Sequence, residues 1–103
     1  MVGFYVTGEL RDTVICRVDK DDSYLFCFGY VVHHTSNQYA AGDWFSTSLI
    51  ETIEKIDDKY KITTLNSTYL VDGVDFIDIP STAITNIRMG TPPLKALDLL
   101  GCR

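Results

Sequence analysis

The sequence has few of the residues that build cross-links or metal sites. It contains three cysteines, an odd number with no C-x-x-C spacing, and only two histidines. This scarcity argues against a disulfide framework and a zinc site, and reduced thiols are typical of the cytoplasm. Cys16 and Cys27 lie in apolar segments, which predicts that both are buried, whereas Cys102 is predicted to be exposed.

Long apolar runs are also missing. The densest stretch, residues 24–32, is far shorter than the ~20 residues that a membrane-spanning helix needs, and Gly29 interrupts it. No basic residue precedes Arg11, so the first residues do not resemble a secretory signal. We therefore expect a cytoplasmic protein that does not associate with a membrane.

Positive charge is scarce and dispersed. Fourteen acidic residues outnumber nine basic ones, which gives a formal net charge of −5. A nucleic-acid-binding surface needs clustered lysine and arginine to neutralise phosphates, and no such stripe can be assembled here. The charge balance therefore predicts that the protein does not bind nucleic acid.

Groups for covalent catalysis are equally sparse. A serine or cysteine nucleophile needs a base within hydrogen-bond reach, and only His33 and His34 are available as histidines. Because neighbours on a strand point to opposite faces, at most one of the two can join a given site. We predict no catalytic residue and no cofactor.

One acidic segment begins like a calcium loop. Asp19-x-Asp21-x-Ser23 has the spacing of the first three ligands. The pattern then fails, because Tyr24 occupies the glycine position and Tyr30 the position of the final glutamate. We predict a solvated acidic turn and no metal site.

At 103 residues the chain fits one domain, residues 1–103, and its first half predicts a β-hairpin. Residues 13–18 and 24–34 are rich in β-branched and aromatic side chains, and an acidic cluster separates them. Alternation places Phe26 and Phe28 on one face of the second strand and Cys27 and Val31 on the other. Gly29 predicts a bulge or a close approach of two backbones.

The stretch from 44 to 56 fits two secondary structures. Leu49, Ile50, Ile53 and Ile56 fall on one helical face, which slightly favours a helix. The β-branched and aromatic residues favour a strand that pairs, across a turn at residues 57–58, with residues 60–65. Periodicity alone leaves both readings open.

The second half predicts a further hairpin, a short strand and a closing helix. Residues 60–65 and 68–71 flank a two-residue turn, Asn66-Ser67, and residues 74–79 form the next strand. Thr91 is a suitable N-cap, with Pro92 at the first helical position and Gly101 after the last turn. The leucines of this helix, Leu94, Leu97 and Leu100, are expected to cover one side of the sheet.

Two motifs carry a resemblance to a known family. The first is G-D-W-F at residues 42–45 followed by Thr47-Ser48, and the second is T-x-N-S-x-Y at residues 64–69. Over residues 26–73 the chain resembles a family of short bacterial, phage and integron-cassette proteins of unknown function. The resemblance implies a mostly β domain in which residues 44–53 are extended, and this decides for the strand. It also implies an origin on a mobile element, where accessory proteins often block or redirect a host component.

Together these patterns predict a mainly β fold. We expect a small curved antiparallel sheet or an SH3-like partial barrel, closed by a short C-terminal helix, with an α+β two-layer arrangement as the alternative. A domain of this size and composition is also expected to bury an edge strand in a homodimer.

The predicted binding site consists of residues after the 35–42 loop and on the later hairpin, because aromatic side chains give large contact areas with few rotatable bonds. Its members are Tyr39, Asp43, Trp44, Asn66 and Tyr69. The competing interpretation is that Trp44 fills the core and Asp43 binds loop amides. We predict a non-enzymatic module that binds another protein. A small-molecule pocket between the sheet and the 35–42 loop is the alternative.

Overall fold

Seven strands and two short helices make up residues 6–99, the part of the chain that the computed structural model describes. Three sequence expectations, the exposure of Cys102 and the places of Leu100 and Gly101 in the closing helix, lie outside these residues. The strands are β1 (Gly8–Val18), β2 (Leu25–His34), β3 (Trp44–Ser46), β4 (Ile50–Ile56), β5 (Lys59–Thr64), β6 (Thr68–Val71) and β7 (Asp75–Ile79). The helices are α1 (Ile84–Arg88), which follows a 3₁₀ turn at Ser81–Ala83, and α2 (Pro93–Leu99).

All seven strands belong to one open, curved sheet. Its order is β3-β2-β1-β6-β5-β4, and β7 pairs with the second half of β1. The predicted mainly β fold and the predicted hairpins are confirmed, with β1 against β2 and β5 against β4 and β6. The sheet is mixed rather than wholly antiparallel, because β6 and β7 follow one another along the same edge of β1 and both run parallel to it.

A bulge in β1 marks the place where its partner changes from β6 to β7. Asp12 takes a left-handed φ of 51°, and the pairing with β2 shifts between Arg11 and Val14. Asp72, in the link from β6 to β7, accepts the Asp12 amide at 2.8 Å and the Thr13 amide at 3.2 Å. This carboxylate thereby satisfies two backbone donors that the interrupted ladder leaves unpaired.

Gly29 on β2 lies directly against this bulge. A Cβ added at Gly29 would be 2.6 Å from Thr13 Cγ2 and 3.0 Å from the Arg11 carbonyl oxygen. The close backbone approach predicted at Gly29 is therefore confirmed, and only glycine fits there without a shift of the neighbouring strand.

The two faces of the sheet bury separate cores, as the alternation along β2 predicts. The helix-side core contains Cys16, Val18, Phe26, Phe28, Ile79, Ala83, Ile87, Ala96 and Leu97. The inner core, on the opposite face, contains Leu10, Ile15, Cys27, Val31, Phe45, Ile62, Tyr69 and Val71. The predicted burial of both described cysteines is confirmed, and they lie on opposite faces.

The residues with helical periodicity are extended. In β4, Ile50, Ile53 and Ile56 are half-buried at every third position. A register shift between Ile50 and Thr52 inserts an extra residue, so Ile50 and Ile53 both contact the inner core despite their odd spacing. The strand interpretation is confirmed, and the bulge accounts for the helix-like spacing of Ile50 and Ile53, whereas Ile56 follows Ile53 in regular register and lies on the other face.

The C-terminal helices pack on the face of the sheet that carries the helix-side core. Helix α2 begins at Pro93 rather than Pro92, because the Pro92 carbonyl accepts the first helical bond, from the Ala96 amide at 2.9 Å. Leu97 is buried as expected, but Leu94 is 61% exposed and the buried face runs instead through Pro93, Ala96 and Leu97. No helix within residues 6–99 is long and apolar enough to cross a membrane.

Helix α1 has no counterpart among the sequence predictions. Gly90, two residues after its last turn, has a φ of 105° and donates its amide to the Ile87 carbonyl, while Thr91 donates to the Asn86 carbonyl. These two bonds form a Schellman motif, which requires the left-handed residue that glycine supplies. The motif ends α1 beside β3 and so places Arg88 and Gly90 at the edge of the sheet.

Candidate functional site

A groove of about 510 Å³ runs along the free edge of β3. It is bounded by the 35–42 loop on one side and by the end of α1 on the other. Its lining residues are Gln38, Tyr39, Asp43, Trp44, Phe45, Ser46 and Arg88. Three of the five residues predicted for the binding site, Tyr39, Asp43 and Trp44, therefore meet in this groove.

Trp44 is exposed and does not fill the core. Its side chain is 43% accessible, whereas the next residue, Phe45, is 9% accessible and belongs to the inner core. The indole lies against Gly90, where an added Cβ would be 2.8 Å from two of its ring atoms. The competing interpretation of Trp44 as a core residue is wrong, because the sheet alternation gives that role to Phe45.

Asp43 holds the loop that forms one wall of the groove. Its Oδ2 accepts the Ala40 amide at 2.9 Å, and its backbone carbonyl accepts the Val31 amide at 2.8 Å. Gly42, with a φ of 92°, turns the chain between these bonds and donates to the Val31 carbonyl. The interpretation that Asp43 binds loop amides is thus confirmed.

Tyr39 belongs to a cluster of four aromatic rings at the end of β2. Its ring centroid lies 4.9 Å from that of Phe45, edge-on, and 4.7 Å from that of His34. Tyr69 completes the cluster beneath them, 5.4 Å from Phe45 and 5.9 Å from His34. Such packing fixes the Tyr39 ring at the mouth of the groove.

Tyr69 itself offers no contact surface. It is 5% accessible, and this burial raises the pKa of its hydroxyl. The structure therefore places Tyr69 under the groove as a support for Phe45 and Tyr39.

Asn66 lies away from the groove, in the turn between β5 and β6. Its side-chain amide donates to Ser48 Oγ at 2.9 Å, and its φ is not in the left-handed region. The turn is instead held by Thr64, whose hydroxyl accepts the amides of Asn66 and Ser67. Asn66 thus joins two loops of the sheet and does not meet Trp44.

Sequence reasoning missed Arg88, which forms the far wall of the groove. Its Nη1 donates to Ser46 Oγ at 3.0 Å and to the Thr47 carbonyl, and its guanidinium stacks over Phe26 at 4.2 Å. Burial lowers the pKa of Arg88, although the group stays charged at neutral pH. Ile84 and Ile87, three apart after a proline, were the signal for the helix that carries it.

The groups capable of covalent chemistry are separated or shielded. Burial raises the pKa of the Cys16 thiol to about 12 and also raises the pKa of Cys27. His34 is enclosed by aromatic rings, and His33 is exposed on the opposite face of β2. Within residues 6–99, no three histidine, cysteine, aspartate or glutamate side chains converge as metal ligands.

The acidic turn between β1 and β2 satisfies its own carboxylate. Asp21 accepts the amide of Ser23 at 2.9 Å and its hydroxyl at 2.6 Å, and these bonds lower the pKa of Asp21. The segment that begins like a calcium loop is therefore an ordered hairpin turn.

Comparison of the chain with protein-family models, with curated proteins and with solved structures found no match. The family resemblance over residues 26–73 stays a prediction. Function must therefore be argued from the groove itself.

Proposed function

We propose that the protein is a non-enzymatic interaction module whose groove along β3 binds a segment of another protein. The observation that carries this proposal is the state of Trp44. The only tryptophan in the sequence is 43% accessible, although Gly90 and the edge of β3 hold it in place. A large side chain that is both exposed and fixed binds a partner at small entropic cost.

The neighbours of Trp44 support the same role. Tyr39 adds a second ring whose orientation is set by Phe45 and His34. Trp44 and Tyr39 lie on opposite faces at the edge of β3, and Gln38, Ser46 and Arg88 add hydrogen-bonding groups to the same groove. Aromatic side chains combined with polar groups are typical of a protein-binding surface.

The chemistry of the remaining groups supports a module without catalytic activity. The two described thiols are buried with raised pKa values, so neither is a nucleophile at neutral pH. The partner remains unidentified, and a cytoplasmic protein encoded on a mobile element is the setting that we propose. Homodimerisation through an edge strand also stays a prediction. Pairing through β4 is disfavoured by its exposed charged side chains, Glu51, Glu54 and Lys55.

Peptide selection tests the proposal. A random library of displayed peptides is selected against the native protein, and enriched peptides are measured by calorimetry with the native protein and with Trp44→Ala. We expect selected peptides to lose at least about tenfold in affinity for Trp44→Ala, as for an aromatic anchor at an interface. Phe76→Ala is the matched control, because Phe76 is also an exposed aromatic residue, 51% accessible, but lies on β7. Failure to select any peptide that depends on Trp44 would refute the proposal.

A small-molecule site is the second candidate. The groove lies between the sheet and the 35–42 loop, and its volume of about 510 Å³ falls in the range of small-molecule pockets. A thermal-shift screen with a metabolite panel distinguishes the two. Large ligand-specific increases in melting temperature that vanish in Trp44→Ala, together with no selected peptide, would favour the small molecule.

A further inference from the structure

Within residues 6–99 no strand pairs with the outer edge of β3, so its backbone presents hydrogen-bonding groups to the groove. The Thr47 amide donates to the Cys27 carbonyl at 2.9 Å, and the Val31 amide donates to the Asp43 carbonyl at 2.8 Å, so Asp43 and Thr47 bond to β2. In an antiparallel pair the bonded residues alternate, so Phe45 also faces β2. Trp44 and Ser46 therefore direct their N–H and C=O groups away from β2, towards the free edge.

The side chains of these two residues lie on the same face of the sheet. The register pairs Ser46 with Phe28 and Trp44 with Tyr30, both of which pack on the helix-side core. Arg88 and Gly90, at the end of α1, also meet β3 on this face. Phe45 points to the opposite face, towards Tyr39.

Arg88 is a half-buried cation that lacks a carboxylate partner among residues 6–99. Four other basic residues, Arg11, Arg17, Lys59 and Lys61, form ion pairs. The groups that act electrostatically on Arg88 are the Tyr24 hydroxyl and the Cys16 thiol, and neither is a carboxylate. A charge removed from water in this way binds an anionic group more strongly than an exposed lysine does.

We infer that the groove binds an extended segment of the partner as an additional antiparallel strand on β3, with an acidic side chain opposite Ser46 and a large apolar side chain opposite Trp44. This inference rests on the proposed function and specifies how the partner segment binds the groove. Directly opposed residues share a face, so the acidic side chain meets Arg88 and the apolar one meets the indole.

The strand direction fixes the order of the two side chains. Because an antiparallel strand runs from Ser46 towards Trp44, the acidic residue precedes the apolar one by two positions, about 7 Å along the strand. Both residues exchange backbone hydrogen bonds with β3, whereas the residue between them turns its amide away.

The probe is a heptapeptide, acetylated and amidated, with glutamate third, valine fourth and phenylalanine fifth among threonine and serine. Its binding is followed by the fluorescence of Trp44. We expect at least about tenfold tighter binding than for the same peptide with glutamine third, as for a charge-assisted hydrogen bond. N-methylation of the phenylalanine amide should weaken binding by about tenfold or more, and N-methylation of the valine amide should not.

A protein variant tests the partner of the glutamate. Arg88→Gln should bind the two peptides with equal affinity, and Arg88→Lys should retain part of the preference. Circular dichroism verifies that each variant is folded, and the comparison of the two peptides with the native protein does not depend on any variant.

Three outcomes would overturn the inference. The first is equal affinity of the native protein for the glutamate and glutamine peptides, and the second is an equal effect of the two N-methyl groups. The third is tighter binding of the peptide in which phenylalanine is third and glutamate fifth. If no heptapeptide binds but selected library peptides bind through Trp44, strand addition is wrong and the proposed function stands. If the library also yields nothing, both fail.

Discussion

Replacing Gly90 with alanine tests whether the end of α1 holds Trp44 in place. Two effects combine at this position. The φ of 105° is unfavourable for a residue with a Cβ, and that Cβ would lie 2.8 Å from the indole of Trp44. Gly42→Ala serves as the control that has only the first effect. The φ of Gly42 is 92°, and a Cβ added there meets nothing within 4 Å.

The two costs can be estimated separately. A left-handed conformation costs an alanine about 1–2 kcal/mol, which should be the whole effect of Gly42→Ala. Displacing the indole from its rotamer adds about 0.5–1.5 kcal/mol in Gly90→Ala. For a domain of about 100 residues each kcal/mol lowers the melting temperature by about 4–8 °C, so we expect losses of about 4–16 °C for Gly42→Ala and about 6–28 °C for Gly90→Ala.

The assay is thermal unfolding followed by circular dichroism, together with tryptophan emission. Since Trp44 is the only tryptophan, a shift of the emission maximum to longer wavelength in Gly90→Ala reports the movement of its indole into solvent. In a Trp44→Ala background, Gly90→Ala should cost no more than Gly42→Ala. Equal costs of the two glycine substitutions in the native background, or an unchanged emission maximum, would refute this account of the groove.

Three further predictions concern the framework around the site. Gly29→Ala should lower the free energy of unfolding by about 2 kcal/mol, because its Cβ would overlap Thr13, and denaturant unfolding measures the loss. Asp72→Asn should lower it by about 1 kcal/mol, since the amide cannot accept both backbone bonds of the β1 bulge, and should weaken the dependence of stability on pH below about 4. His34→Phe should keep the ring packing but remove the loss of stability below about pH 6.5, measured as the melting temperature against pH.

The direction of the His34 effect follows from its surroundings. Burial, and then the neighbouring His33, lower the pKa of His34 from its usual 6.5, and its Nδ1 accepts the Ser36 amide at 2.9 Å. As the pH falls below about 6.5 the unfolded chain takes up the proton first, so stability is lost until the folded pKa is passed. His33→Asn should reduce the pH-dependent loss without abolishing it, because burial of His34 remains. An unchanged pH profile in His34→Phe would contradict the prediction.

For Asp72 the sign is the same. Partial burial alone would raise its pKa, but the bonds from Asp12 and Thr13 outweigh burial and lower the pKa from 3.8. Stability from this carboxylate is complete above about pH 4 and is lost as the pH falls through the folded pKa. A native-like acid profile in Asp72→Asn would show that the bulge does not depend on the charge.

Much of the fold could be predicted because its signals are local. Alternation along residues 24–34 assigned Phe26 and Cys27 to opposite faces, and Gly29 marked the close approach to β1. The parallel pairs of β1 with β6 and β7 could not be predicted, since they join residues about sixty positions apart. The helical spacing of Ile50 and Ile53 in β4 was misleading because a bulge between them places both side chains on one face.

For the candidate site, too, some features follow from the sequence and others from the tertiary structure. The sequence by itself determined that the domain is rich in β-structure and has few cysteines and histidines, because composition and short-range alternation act within a few residues. Only the tertiary structure decided that Trp44 is exposed while Tyr69 is buried, and that Arg88 reaches β3 from a helix some forty residues away. Those outcomes depend on which strand lies at the edge of the sheet, and that is settled by long-range packing.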